Sequence, residues 1–342
     1  MPLPRLRITV LMGGTSAERD VSIASGLRIA EALRSRGHDV TLLDTALGVV
    51  DAALEAALRA EGMKREPPRL EALAELSRAA LSPALGTLPA VRQADVVFLA
   101  LHGGQGEDGT IQALFELCGV CYTGSGPLAS ALAMDKDLSK RLFRVAGVPT
   151  PDWLMAPADL DEVERVLGYP VVVKPSKQGS TVGLTVVRKA EEVEAAIAEA
   201  FRYDDEVMLE RFVPGREITV GVLGDLALPV GEIVPRHEVY DYECKYTPGM
   251  AEEQFPARLG RDESARVQAL ALRAFRALKL RGYARIDFRM ADDGEFYCLE
   301  ANTLPGMTEL SLIPQAAAAA GIGFADLCER IVELALQSRR AG

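Results

Sequence analysis

Short apolar runs alternate with amphipathic stretches through the first third of the chain. Residues 6–12 read as a strand, the pattern then turns helical as far as Arg36 and closes at Gly37, and residues 39–43 read as the next strand. Residues 95–101 form another strand-sized run, residues 110–118 a helix, and Gly124-Ser125-Gly126-Pro127 the punctuation after it. Alternation of this kind predicts a parallel, doubly wound sheet of the α/β class. Residues 61–89, rich in Ala, Leu, Glu and Pro, are expected to be a helical insertion on its rim.

The pattern changes near residues 149–151. Short β-rich runs at 170–174 and 183–187 are separated by a polar loop, 175–182, and are followed by a helix at 190–201 and a strand at 206–212. Residues 216–223 and 226–234 read as a hairpin around Gly224-Asp225. Residues 235–256 are long, polar and without periodicity, as lids often are. A helix at 262–280, strands at 283–290 and 295–299, and two alanine-rich helices complete the chain. These are antiparallel signals, so an α+β region is expected after the α/β one.

A length of 342 residues predicts two or three domains, and 49% hydrophobic with 25% charged residues is a globular composition. The longest apolar runs are far too short to cross a membrane, and a strand beginning at residue 6 leaves little room for a leader, so a cytoplasmic location is expected. A net charge of −11 argues against a nucleic-acid partner. Five cysteines suggest free thiols; Cys118 and Cys121 form a lone CxxC without the second pair a zinc site needs.

Arg285 and Asp287 lie two apart on one expected strand, and Glu300 and Asn302 lie just past the other. Each pair therefore shares a face, and two carboxylates with an amide oxygen are the hard donors that magnesium takes beside a phosphate. Lys174 ends an apolar strand and opens Pro175–Gly183, whose small residues let backbone N–H groups approach an anion. No GxxxxGK[ST] pattern and no GxGxxG fingerprint occur, which speaks against a P-loop enzyme and a nicotinamide dehydrogenase. Glu210 and Glu217 flank a strand edge, where an acid can accept from a ribose or pair with a lysine. Gly13–Glu18 and His102–Gly109 close strand ends of the first sheet, where ligands of such sheets bind.

Five stretches in order carry a resemblance to the D-alanine–D-alanine ligase family of ATP-grasp enzymes: LMGGTSAERDVS from Leu11, LHGGQGEDGT from Leu101, KPSKQGSTVG from Lys174, YDYECKYT from Tyr240, and ARIDF through LEANTLPGMTELS to Ser311. The resemblance implies a preATP-grasp domain at 1–125 and two ATP-grasp lobes at 126–214 and 215–342, the second carrying a lid at about 235–256. It implies that Lys136, Lys174 and Lys245 contact the phosphates of ATP with Ser180 and Thr181. Glu210, Arg211, Phe212, Val213 and Glu217 would hold adenine and ribose. Asp287, Glu300 and Asn302 would bind two magnesium ions, with manganese a possible substitute. Glu18, His102, Ser180 and Tyr246 would surround the first D-alanine, and Arg285, Gly306, Ser311 and Leu312 the second. Glu18, Ser180, Tyr246, Arg285, Gly306 and Ser311 are thus the expected catalytic set, and a homodimer is expected from the family.

The sequence departs from the family pattern at Asp20, Cys244, Leu304 and Glu309, none of them in that set. Two alternatives stand beside this reading: a ligase taking D-lactate as second substrate, which the Tyr at 246 disfavours, and a non-catalytic ATP-binding module, which has no need of paired metal ligands.

Overall fold

The computed structural model of the protein describes residues 3–16, 18–62, 83–179, 181–236 and 249–341. Its first sheet contains β1 (Arg7–Met12), β2 (Asp39–Asp44), β3 (Gly48–Val50) and β4 (Val96–Leu99), in the order β3-β2-β1-β4. β1 runs parallel to β2 and to β4, with the helix Arg19–Ser35 crossing between β1 and β2. The edge strand β3 is antiparallel, so the sheet is not wholly parallel as expected. Residues 45–47 are too few for a crossover, which needs a dozen or more residues, so the chain turns back instead.

The second sheet is antiparallel, built from β5 (Trp153–Met155), β6 (Val171–Pro175), β7 (Thr185–Val187) and β8 (Val207–Arg211) in the order β5-β8-β6-β7. Helices Leu160–Val166 and Val193–Ala200 bury Val163, Val193 and Ala196 with its Val171, Val173 and Leu209.

The third sheet places β9 (Arg216–Leu223), β10 (Leu226–Ala227), β11 (Gly231–Pro235), β12 (Ala251–Gln254), β13 (Tyr283–Met290) and β14 (Phe296–Asn302) in the order β12-β11-β9-β13-β14, with β10 on β9. The expected hairpin is present but its return strand is interrupted at residues 228–230, where Pro229 offers no N–H to the ladder. Two boundaries differ from expectation. Residues 251–254, inside the stretch read as aperiodic, pair antiparallel with β11; Ala-Glu-Glu-Gln has little strand preference of its own, and the exposed edge of β11 decides the matter. β14 runs on to Asn302, so Glu300 and Asn302 belong to the strand. Residues 237–248, most of the expected lid, and 63–82, most of the expected insertion, lie outside the described residues.

Packing knits these sheets together. Helices Pro127–Met134 and Lys136–Val145 bury Ala129, Ala133 and Phe143 against the third sheet's Val220, Ile286 and Phe296. The helices Leu312–Ala319 and Phe324–Ala341 instead join the core of the first sheet, with Ile313, Leu327, Ile331 and Val332 buried in one cluster with Val10, Leu42 and Phe98. Arg28 fastens the same junction by donating to the carbonyls of Met307 (3.0 Å) and Thr308 (2.6 Å). Among the described residues no helix is long and apolar enough to cross a membrane.

The link from the second sheet to the third passes through Gly215 at φ +126°, where an added methyl group would stand 2.1 Å from the carbonyl oxygen of Met290. Gly215→Ala is therefore expected to destabilise the protein by about 2–4 kcal/mol, combining strain with a backbone clash. Chemical denaturation checks this, and a loss below about 0.5 kcal/mol would show that the link is softer than its geometry.

Candidate active site

β13 and β14 bring four polar side chains to one place. Arg285 stands opposite Asn302 and Asp287 opposite Glu300, and the register shifts just after, between Asp287 and Phe288. The Asp287 carboxylate accepts from Arg285 Nη2 at 2.9 Å, from Asn302 Nδ2 at 2.9 Å and from the Thr219 hydroxyl of β9 at 2.7 Å. Lys136, at the start of the helix Lys136–Val145, lies 3.3 Å from Glu300 and donates to the Gln178 carbonyl at 2.7 Å. One lysine thus ties the 175–182 loop to β14. Among the described residues no three His, Cys, Asp or Glu side chains converge as a metal cluster. The candidate cation site is instead two carboxylates and an amide, all hard donors whose charge is answered here by Lys136 and Arg285, and this donor set fits magnesium.

A second group lies in the wall of the same cleft. Glu210 on β8 has its side chain only 4% exposed and pairs through one oxygen with Lys174 at 2.7 Å and through the other with Lys140, which is fully buried. Burial alone would raise the Glu210 pKa, yet the two ammonium groups hold it below the ordinary carboxylate range. Each of its oxygens thus meets one lysine, and Glu210 still lines the cleft.

The connection between β8 and β9 is held by Arg289, which donates to the carbonyls of Val213 (3.0 Å) and Gly215 (2.9 Å), pairs with Glu217 (2.9 Å) and stands 5.8 Å from the Phe212 ring. The 175–182 loop is anchored from outside, with Lys177 N donating to Asp204 at 2.6 Å, Ser176 N to the Glu206 carbonyl at 2.9 Å and the Gln178 amide to the Tyr203 carbonyl at 3.0 Å.

These groups surround a cleft lined among others by Lys136, Lys174, Thr181, Glu210, Arg211, Phe212, Val213, Glu217, Arg285, Asp287, Glu300 and Leu312. Loops at the ends of β1 and β4 border it. A methyl group placed on Gly179 would lie 3.4 Å from the Glu18 carboxylate and one on Gly103 3.6 Å from it, so Glu18 sits between two glycine turns. His102 is buried, with Nδ1 2.8 Å from the Leu304 carbonyl and Nε2 3.5 Å from the Ser25 hydroxyl, which itself accepts from Met307 N at 3.1 Å. Glu107 accepts from Gly103 N at 3.1 Å and Leu304 N at 3.2 Å. Burial pushes its carboxyl pKa up, His102 works against that rise, and the charge on Glu18 adds to it. Gly306 approaches Ser311 so closely that a methyl group would lie 2.7 Å from the hydroxyl, which accepts from Thr308 N at 2.9 Å just before the helix Leu312–Ala319.

The sequence-predicted residues therefore fall on one cleft and its adjoining loops, except Ser180, Lys245 and Tyr246, which lie outside the described residues. Three neighbours were not anticipated. Arg289 continues the every-second-residue pattern of Arg285 and Asp287, a signal present in the sequence, whereas Lys140, one turn after Lys136, is marked only by its burial. Glu107 had no comparable signal beyond its place in a glycine-rich loop.

Comparison with known proteins agrees with this arrangement along the whole chain. The family model described as the D-ala D-ala ligase N-terminus matches residues 7–125, and that of the D-ala D-ala ligase C-terminus matches residues 142–333. A D-alanine–D-alanine ligase of Geobacter sulfurreducens is 44% identical, over 99% of this chain and 98% of its own, and one from Aquifex aeolicus is 40% identical over 96% and 100%. Among solved structures, the D-alanine–D-alanine ligase from Coxiella burnetii superposes with a TM-score of 0.81 at 30% identity, covering 99% of this chain and 96% of that one. The Bacillus anthracis ligase complexed with ATP gives 0.75 at 31% identity, covering 98% and 99%. With both halves matched and the relatives spanned nearly end to end, the chain belongs to the D-alanine–D-alanine ligase family.

Proposed function

We propose that this chain uses ATP to join two D-alanine molecules into D-alanyl-D-alanine through a D-alanyl phosphate, releasing ADP and phosphate. The observation that carries this reading is the convergence of Lys136, Lys174, Arg285, Asp287 and Glu300 on one cleft, with Asn302 bonded to Asp287. Two lysines and an arginine around two carboxylates match a polyphosphate with its counter-ion.

In this reading Lys136, Lys174 and Lys245 hold the phosphates with Ser180 and Thr181, and Arg211, Phe212, Val213 and Glu217 form the nucleoside side of the cleft. Glu210 would face the nucleoside from the same wall while it pairs with its two lysines. Asp287, Glu300 and Asn302 would hold magnesium, which neutralises charge on the transferred phosphoryl group. Glu18, with His102, Ser180 and Tyr246, binds the first D-alanine, whose carboxylate takes the γ-phosphoryl group. The amine of the second D-alanine, held by Ser311 and Leu312, attacks the acyl phosphate. Arg285 and the Gly306 N–H stabilise the oxyanion that results. Water must be kept from the acyl phosphate, and the 235–256 segment is the proposed cover. The product suits peptidoglycan precursor synthesis in the cytoplasm, by a homodimer.

Purified protein with ATP, magnesium and D-alanine is expected to release ADP and dipeptide in equal amounts, with L-alanine inert. Offered D-alanine and D-lactate equally as second substrate at neutral pH, it is expected to make the dipeptide almost alone. ADP release without dipeptide would refute the reading, and depsipeptide as main product would replace it with the D-lactate alternative.

A further inference from the structure

The Lys140–Glu210–Lys174 group holds one more cation than its carboxylate needs. Lys174 lines the cleft, while Lys140 lies behind it with no exposed surface. Had Glu210 only Lys174 for a partner, the two would form a closed buried bridge, and drawing the lysine toward a ligand would strand the carboxylate, which is costly in a dry environment. With Lys140 on the other oxygen, Glu210 stays paired when Lys174 moves.

We propose that Lys140 is a positioning residue for nucleotide binding: it satisfies Glu210 so that Lys174 can turn its ammonium group to a phosphate. This rests on the ATP reading above.

The surroundings of Lys140 make the device sensitive to pH. It meets Glu210 from β8, Lys174 from β6, the Cys298 thiol from β14 and, at 5.1 Å, the Trp153 ring from β5; Lys136, Asp137 and Arg144 are its charged neighbours along the helix. Burial keeps the Cys298 thiol protonated. Burial also brings the Lys140 pKa down to about 8, opposed by Glu210 and helped by the charge on Lys174. Below that pH Lys140 carries its proton and Lys174 is released; above it Glu210 has Lys174 alone and holds it back.

Calorimetric titration of the full chain with ATP and magnesium, without amino acid, tests this between pH 7 and 9.5. The unmodified protein is expected to lose about tenfold in ATP affinity across that range, with a midpoint near pH 8, a loss of the size a charge-assisted contact carries. Lys140→Arg, which keeps its charge throughout, is expected to bind with no such decline. Lys140→Met is expected to bind about tenfold more weakly already at pH 7 and to show a flat profile. A decline in Lys140→Arg equal to that of the unmodified protein overturns the proposal, as does Lys140→Met binding within about twofold of it at pH 7. Should Lys140→Met fail to fold, the Lys140→Arg profile decides alone. ATP binding with the expected profile but no dipeptide formation would sink the ligase reading and leave the Lys140 role standing.

Discussion

Glu300→Gln or Asp287→Asn is expected to lower kcat by roughly a thousandfold or more while the protein stays folded, a loss of about 4 kcal/mol of transition-state stabilisation. Each change keeps the shape of the side chain and removes one negative charge. Folding tolerates this, because Asp287 and Glu300 are only half-buried and Asn302, Thr219 and Lys136 can still bond to an amide. Catalysis does not. In phosphoryl transfer the protein contributes chiefly position and charge, and these two carboxylates are the anionic donors proposed to hold the metal there. In Asp287→Asn the Arg285 guanidinium also loses its 2.9 Å partner and with it the orientation proposed for the oxyanion. Release of ADP at saturating magnesium, beside thermal unfolding of the same samples, is the measurement. Turnover within tenfold of the unmodified enzyme in either variant would remove these residues from the metal site.

The largest stability effect is expected at Glu210. Glu210→Ala leaves Lys140 and Lys174 facing each other in a buried wall with no counter-charge, and removing one partner of a buried ionic group costs about 3–5 kcal/mol. The pH dependence has a definite sign. Since the folded-state pKa of Glu210 lies below its unfolded value, its stabilisation is complete above the ordinary carboxylate pKa of about 4.3 and is lost as pH falls below it. Urea unfolding at pH 7 and pH 4 should therefore show the gap between the unmodified and variant proteins narrowing in acid. A gap under about 1 kcal/mol at pH 7 would mean that the two lysines find other partners.

What could be read from the sequence divides along physical lines. Arg285 and Asp287 were legible because a strand repeats every two residues and its faces follow from that count alone. The parallel core of the first sheet was legible for another reason, its short apolar runs alternating with helical stretches, whereas its antiparallel edge strand β3 was not. The end of β14 was not, because Glu300 and Asn302 are polar and look like the start of a loop, whereas their backbone continues the ladder with Asp287 and Arg285. Nor was β12, whose residues become a strand only because β11 offers an unpaired edge. Lys140 shows a third kind of blindness. In a helix rich in lysine and arginine it resembles a solvated charge, and the acid that buries it is 70 residues away. Glu210 is recognisable in the sequence as able to pair with a lysine, but that it holds two is a property of the packed wall.

The packing of the helices Leu312–Ala319 and Phe324–Ala341 into the first sheet has a consequence for the chain during synthesis. Arg28 is fastened to a carbonyl 280 positions later, and Arg36 and His38 to Asp326 and Glu329 about as far away. When β1, β2 and β4 leave the ribosome, the residues that complete their core have yet to be made. That part of the core around the oldest strands stays unfilled until the helix Phe324–Ala341 has been made.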